Sequence, residues 1–290
     1  MFAHYFRLAR PNHWIKNFFI FAPLIFSKNL LDWPLLLLSI QAFASFCFVS
    51  GAVYTLNDIF DASYDREHPV KRERPIAAGK VSRVQAVILA SVLVAISVLL
   101  ASSLDPRFQG VLGLYFVLNF LYSARLKDIV ILDAMIVSAG FMLRVMAGAF
   151  VIDVVLSDWI IICTFFISLF LSFSKRRAEL TFHQLNEAGT TRAVLGEYSI
   201  SLVDQILLVS AAGALISYSL YTLADRTVRI FGTPNLIYTT IFVAYGIFRY
   251  LYLIHKRQLG ENPTLLIFSD VPLLANIVLW IGTCVLIIYW

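Results

Sequence analysis

The sequence predicts an all-α, polytopic membrane protein of about nine transmembrane helices around a cavity that faces the cytoplasm. Three observations carry this expectation. The 290 residues are 60% hydrophobic and only 14% charged, whereas soluble domains carry roughly 25% charged residues. The Leu, Ile, Val and Phe residues run in long blocks without the period-2 alternation of a membrane barrel, so helices must satisfy the backbone inside the bilayer. Most of the Lys and Arg residues fall in alternate connections, which sets the sidedness. Residues 1–290 therefore read as a single integral-membrane domain, and soluble classes, nucleic-acid binders among them, are excluded.

The elements follow in order. Arg7, Arg10 and Lys16 precede or open a first span at about 14–30. Asp32-Trp33-Pro34 makes a turn, with Pro34 suited to the first turn of the next helix. A second span runs to about Leu56, and a charged stretch follows to about Arg83. A third span covers about 84–103. Leu104-Asp105-Pro106 turns the chain into a fourth, which ends near Tyr122. A polar hinge, 122–128, leads to a fifth span at 129–151 with Asp133 and Arg144 inside it. A sixth ends near Phe173 and is followed by a second charged stretch from Ser174 to about Ser199. The seventh is 202–223, the eighth ends near His255, and the ninth reaches Trp290. Each is close to the roughly 20 residues that a helix needs to cross a bilayer.

On this reading Arg7, Arg10, Lys16, the 57–83 stretch, Arg125, Lys127, the 174–199 stretch, Lys256 and Arg257 share one side. Only Lys28, Arg107, Arg226 and Arg229 lie on the other. The rich side is cytoplasmic by the positive-inside rule, so every motif-bearing connection opens there. The segment 1–11 is charged and the first apolar run lacks a small-residue cleavage site, so no cleaved signal is expected. Cys47, Cys163 and Cys284 sit singly in apolar runs and read as small buried hydrophobes.

The densest charge is at 57–79. Asp58, Asp61 and Asp65 are three and four residues apart, which puts three carboxylates on one face of a helix, and Asn57 lies beside Asp61. Like charges this close repel, and a divalent cation relieves them. Mg²⁺ takes one or two carboxylates, several waters and phosphate oxygens, and the basic residues His68, Lys71, Arg72 and Arg74 come directly after. The stripe reads as a Mg²⁺–diphosphate site, weighed against a solvated acidic end of a helix.

Asn-Asp-x-x-Asp-x-x-x-Asp, continuing as Arg-Glu-His-Pro-x-Lys-Arg-x-Arg-Pro-Ile-Ala-Ala-Gly to Gly79, resembles the UbiA superfamily of membrane prenyltransferases. Within it, the segment is similar to the decaprenyl-phosphate phosphoribosyltransferase branch. Arg10-Pro-x-x-Trp-x-Lys16-Asn17 and Tyr122-x-x-x-x-Lys127 resemble further elements of that branch. The resemblance implies Mg²⁺ as cofactor and 5-phosphoribosyl 1-diphosphate (PRPP) as donor. It implies a polyprenyl (decaprenyl) phosphate as acceptor, in a bacterial inner membrane with the active site cytoplasmic.

It implies catalytic roles for Asp58, Asp61, Asp65 and Lys127, the three aspartates holding the metal. Substrate contacts would come from Lys16, Asn17, Asn57, His68, Lys71, Arg74, Tyr122, Asp133, Lys175, Arg176 and Glu179. The second charged stretch departs from the superfamily pattern: Glu179 is the only carboxylate in 174–180, which favours a site needing more cation. A homo-oligomer is compatible with this picture. Two other functions compete: prenyl transfer from a polyprenyl diphosphate to an aromatic acceptor, and a transporter with a cytoplasmic polar vestibule. Transporters place charges and broken helices near the midplane, whereas here the charges crowd one face. Asp133 and Arg144 are eleven residues apart, too far to touch, so each needs another partner.

Overall fold

A computed structural model describes residues 2–67, 71–186, 193–256, 266–267 and 269–289. It is helical, with no strand among the described residues, as expected from composition. The chain forms two compact units, Met1–Val155 and Leu156–Trp290.

The first unit holds α1 (Phe2–Ala9), a 3₁₀ segment (Pro11–Phe21), α2 (Ala22–Phe26), α3 (Trp33–Glu67), α4 (Arg83–Ala101), α5 (Pro106–Ala124) and α6 (Leu132–Val151). The expected first span at 14–30 is not one α-helix. Its first half is 3₁₀, an unusually long run of a geometry normally confined to three or four residues. Arg10 enters it with a left-handed backbone (φ 48°) directly before Pro11, a conformation that costs a non-glycine residue roughly 1–2 kcal/mol. The segment then lies along α6. A Cβ on Gly148 would stand 2.0 Å from the Ile20 carbonyl oxygen, so glycine is what permits this approach.

Helix α3 has 35 residues, about 52 Å at the usual rise. The hydrocarbon core is only about 30 Å thick, so the helix runs three turns past the expected end at Leu56. Those turns carry Asp58, Asp61 and Asp65. Polar pairs lock α3 to α4: Ser45 Oγ donates to Ser97 O at 3.0 Å and Ser97 Oγ to Ser45 O at 2.8 Å. Gln41 Nε2 donates to Leu100 O at 2.7 Å. Small hydroxyls on facing helices let the backbones come close, as membrane helix pairs commonly do. A capping box of Ser82 and Gln85 starts α4, and Asp105 with Pro106 starts α5; both follow the sequence rules for helix starts. The core of the unit is aromatic and aliphatic, with Phe46 packed on Phe108 and Tyr115 at centroid distances of 5.9 and 5.3 Å.

The second unit holds α7 (Asp158–Asn186), α8 (Ile200–Leu223), α9 (Asp225–Phe231), α10 (Thr240–Lys256) and α11 (Val271–Tyr289). Phe170 and Phe173 of α7 are buried and pack on Tyr250 and Tyr198, at 5.3 and 6.1 Å. Tyr218 bonds Thr239 at 2.6 Å and accepts from Trp280 Nε1 at 3.0 Å, which satisfies these polar tips inside an apolar packing.

Seven helical stretches among the described residues are long and apolar enough to cross a membrane. They are α3, α4, α6, α7, α8, α10 with its preceding turn, and α11. The two other expected spans are the broken 11–26 segment and α5. Helix α5 has nineteen residues but carries Arg107, Gln109 and Asn119. The protein is a multi-pass membrane protein.

Candidate active site

The last turns of α3 place the three aspartates as the spacing required, and each meets a basic side chain from a different element. Asp58, 2% exposed, accepts from Arg10 and from Arg74 Nη1 at 3.2 Å. Asp65, 4% exposed, accepts from the same Arg74 nitrogen at 2.7 Å. Asp61 accepts from Asn57 Nδ2 at 2.8 Å and from Lys127. The sequence argument assigned relief of the carboxylate repulsion to a divalent cation. In the structure, Arg10, Arg74 and Lys127 supply it.

Arg10 has no place among the expected site residues although it stands in the Arg-Pro segment, and it is the contact that sequence reasoning missed. Its guanidinium also lies 5.4 Å from the centre of the Tyr54 ring, a cation–π contact that holds it over α3. The left-handed turn at Arg10 aims it there. The available signal was its position one residue before Pro11, on the same side as the carboxylate stripe.

Arg74 reaches back because the chain after α3 folds tightly. A single 3₁₀ turn, Lys71–Glu73, is followed by a loop in which Ala78 N donates to Arg74 O at 2.8 Å and Gly79 N to Ile76 O at 3.1 Å. Gly79 has φ 71°, a backbone that glycine adopts without strain. Lys71 is half-buried in that turn. His68 lies outside the described residues. Lys127 sits in the short 3₁₀ turn between α5 and α6, and Tyr122 is half-buried in the last turn of α5.

A second polar group lies deeper in the first unit. Arg144 is 4% exposed. It donates to Asn17 Oδ1 at 2.7 Å, Gly140 O at 2.7 Å and Tyr115 OH at 2.8 Å. Asn17 is fully buried and donates to Cys47 Sγ at 3.3 Å. The expected substrate residue Asn17 is thus engaged by Arg144, and Arg144 has the partner that its depth demanded. Lys16, half-buried, lies within electrostatic reach of both Arg144 and Arg10. Asp133 is fully buried in the first turn of α6.

In the second unit, Arg176 Nη1 donates to Glu179 Oε2 at 3.0 Å, and Lys175 Nζ is 3.8 Å from Glu179 Oε1. Glu179 thereby joins the two cations that the sequence singled out. Arg177 donates to Asp204 Oδ1 at 2.6 Å and Ile254 O at 3.2 Å.

The described residues contain no group of three or more His, Cys, Asp or Glu able to hold a metal ion by themselves. The three aspartates expected on the metal do not form such a group, because their carboxylates are turned to Arg10, Arg74 and Lys127; Mg²⁺ itself takes only one or two carboxylates beside water and phosphate. Asp61, 18% exposed at the side chain, and its partner Asn57 are oxygen donors of the required kind.

Helices that cross a membrane, one of them carrying a braced carboxylate stripe beyond the bilayer, define a polytopic membrane enzyme. The chain belongs to the UbiA prenyltransferase family, whose model matches residues 18–271. It is 32% identical to the decaprenyl-phosphate phosphoribosyltransferase of Mycolicibacterium smegmatis, over 98% of this chain and 92% of the relative. It is 31% identical to the nodulation protein NoeC of Azorhizobium caulinodans, over 75% of this chain and 70% of that protein. Its fold is similar to that of a UbiA homologue from Archaeoglobus fulgidus bound to GPP and Mg²⁺. The TM-score is 0.74, with 19% identity over 99% of this chain and 100% of the other.

Proposed function

We propose that the chain, working as one membrane domain, transfers 5-phosphoribose from PRPP to a polyprenyl phosphate and releases diphosphate. The observation that carries this is the close pairing of three carboxylates with three cations: Asp58 and Asp65 on Arg74, Asp58 also on Arg10, and Asp61 on Lys127. A metal–diphosphate presents both charges to such a cluster. Asp58, Asp61 and Asp65, helped by Asn57, would hold Mg²⁺. Arg10, Arg74 and Lys127 would then turn from carboxylate to phosphate oxygens, and Lys71 would join them there. The bound metal supplies charge stabilisation for the departing diphosphate.

The bond between the anomeric carbon and diphosphate oxygen breaks with oxocarbenium character, as in glycoside cleavage. An oxygen of the lipid phosphate forms the new bond. That phosphate is already anionic at neutral pH, so no general base is required. Three phosphate groups need cations, and Lys16, Lys175 and Arg176, with Glu179, Tyr122, Asp133 and His68, complete the proposed set. The name of the Mycolicibacterium relative supports a phosphoribosyl group as the one transferred and decaprenyl phosphate as the acceptor. The distribution of Lys and Arg supports a cytoplasmic active site in a bacterial inner membrane, and a homo-oligomer is compatible with it.

The test is donor choice. Purified protein with Mg²⁺, decaprenyl phosphate and radiolabelled PRPP should move label into the organic phase, and EDTA should abolish it. Absence of label, with prenylation of a hydroxybenzoate from a polyprenyl diphosphate instead, would overturn the reading.

A further inference from the structure

The chain passes from α5 into α6 through a strained bend. Ile131 has φ 69° and ψ −46°, and Leu132 N donates to Val130 O across it at 2.8 Å. This is a γ-turn of the rare, strained hand, whose ideal centre lies at about +75° and −65°. A β-branched residue is poorly suited to positive φ, because its crowded Cβ meets the backbone. Glycine makes such bends freely, as Gly79 does at φ 71°. The side chain of Ile131 is 43% exposed, so its burial offsets only part of the strain.

Structure on both sides enforces the bend. On one side α6 begins at once: Ala134 N and Met135 N both donate to Ile131 O, at 3.1 and 3.0 Å, and Asp133 and Ala134 are fully buried. On the other side, four residues back, Lys127 is tied to Asp61. A strained residue persists only where its surroundings over-determine it, and the Lys127–Asp61 pair is the restraint here that an arriving anion can exchange. Arg10, the other cation that reaches the stripe from far along the chain, also stands on positive-φ backbone, at 48°. Arg74, which comes from the adjoining loop, does not. Both distant cations therefore meet their aspartates from strained backbone.

We infer that the turn at Ile131 is sprung: it holds strain while Lys127 is on Asp61 and gives it up when Lys127 passes to a phosphate oxygen. Ile131 is thus a positioning residue that acts through Lys127. Strain of this kind biases such an exchange roughly five- to 150-fold. The inference rests on the proposed reaction for the phosphate, and on the turn itself for the readiness of the ion pair to open.

Ile131→Gly removes the strain and leaves every charge in place. A purely structural position would lose stability on this change, and the nearby lysine would become freer. The sprung turn gives the opposite result. Tm should hold or rise. Acetylation of Lys127 by an N-hydroxysuccinimide ester, read by peptide mass spectrometry against the exposed Lys80, should slow at least threefold. KM for the substrate whose phosphate Lys127 serves should rise at least fivefold, and this rise should vanish in a Lys127→Met background, since the two positions act as one. Ile131→Val keeps the branch at Cβ and should keep the wild-type rate of acetylation. Asparagine tolerates the left-handed region, so Ile131→Asn should slow acetylation too and is the variant to read if Ile131→Gly does not fold. Equal or faster acetylation of Lys127 would overturn the proposal, as would an unchanged KM beside slowed acetylation. If the wild-type protein moves no label from PRPP but acetylation still slows in the variant, the reaction falls and the sprung turn stands.

Discussion

Arg74 Nη1 donates to Asp65 Oδ2 at 2.7 Å, and the same nitrogen stands 3.2 Å from Asp58 Oδ1. One guanidinium therefore bridges two carboxylates that are seven residues apart on α3, both of them buried. Arg74→Ala would leave Asp58 with Arg10 alone and would take from Asp65 the cation that it meets here. Breaking a buried pair is costly, but Arg74 itself is 26% exposed, so we expect a loss of about 2 kcal/mol in stability after screening. Transfer activity should fall at least a hundredfold. A Tm scan in detergent and an initial-rate assay check the two effects.

Asp61 is the most exposed of the three aspartates and is paired with Lys127. Asp61→Asn should abolish transfer with little change in Tm, because the amide keeps the size and a hydrogen-bonding oxygen but loses the charge that a metal requires. Normal activity of this variant at ordinary Mg²⁺ would remove the aspartate stripe from the metal site.

Lys127→Arg keeps the charge and should retain ion pairing with Asp61, while Lys127→Met should not. We expect Lys127→Met to raise KM for a phosphate-bearing substrate about tenfold or more, in line with the roughly 1.5–3 kcal/mol of a charged hydrogen bond. Steady-state kinetics with each substrate varied in turn identifies which phosphate Lys127 serves.

Arg144 donates to three acceptors through three different nitrogens. Lysine has a single ammonium and cannot reproduce this fork. Arg144→Lys should lower stability by about 2 kcal/mol, since buried acceptors lose their donors. The substrate KM values of the folded fraction should change little. A large KM change without loss of Tm would place Arg144 in direct contact with substrate.

Gly148→Ala drives a methyl group into the Ile20 carbonyl. The 3₁₀ segment must then move off α6, and with it the turn that delivers Arg10 to Asp58. The expected result is reduced stability together with reduced activity. Ala147, the buried neighbour, changed to Gly, gives a control that alters the same helix without the clash.

Much of this protein is legible in its sequence because the bilayer imposes simple rules. Composition and run length are sufficient for helical spans, and the absence of water for the backbone leaves little alternative. The spacing of Asp58, Asp61 and Asp65 fixed their common face, since a helix has one period. The Lys, Arg and Asn positions next to that stripe were candidates for the same physical reason: charge collects where it can be compensated.

What the tertiary structure decided is which cation compensates which carboxylate, and that depends on contacts between residues far apart in the chain. Lys127 meets Asp61 across 66 positions, and Arg10 meets Asp58 across 48. No local period encodes such pairs. The break in the first span has the same origin. The 14–30 segment is apolar enough to suggest an ordinary helix, yet packing against Gly148 and the anchoring of Asn17 by Arg144 hold it in another form. Local sequence determined the helices and the carboxylate face, because both follow from backbone periodicity and the solvent. Only the packed structure determined the partners, because side-chain ion pairs are chosen by proximity in space.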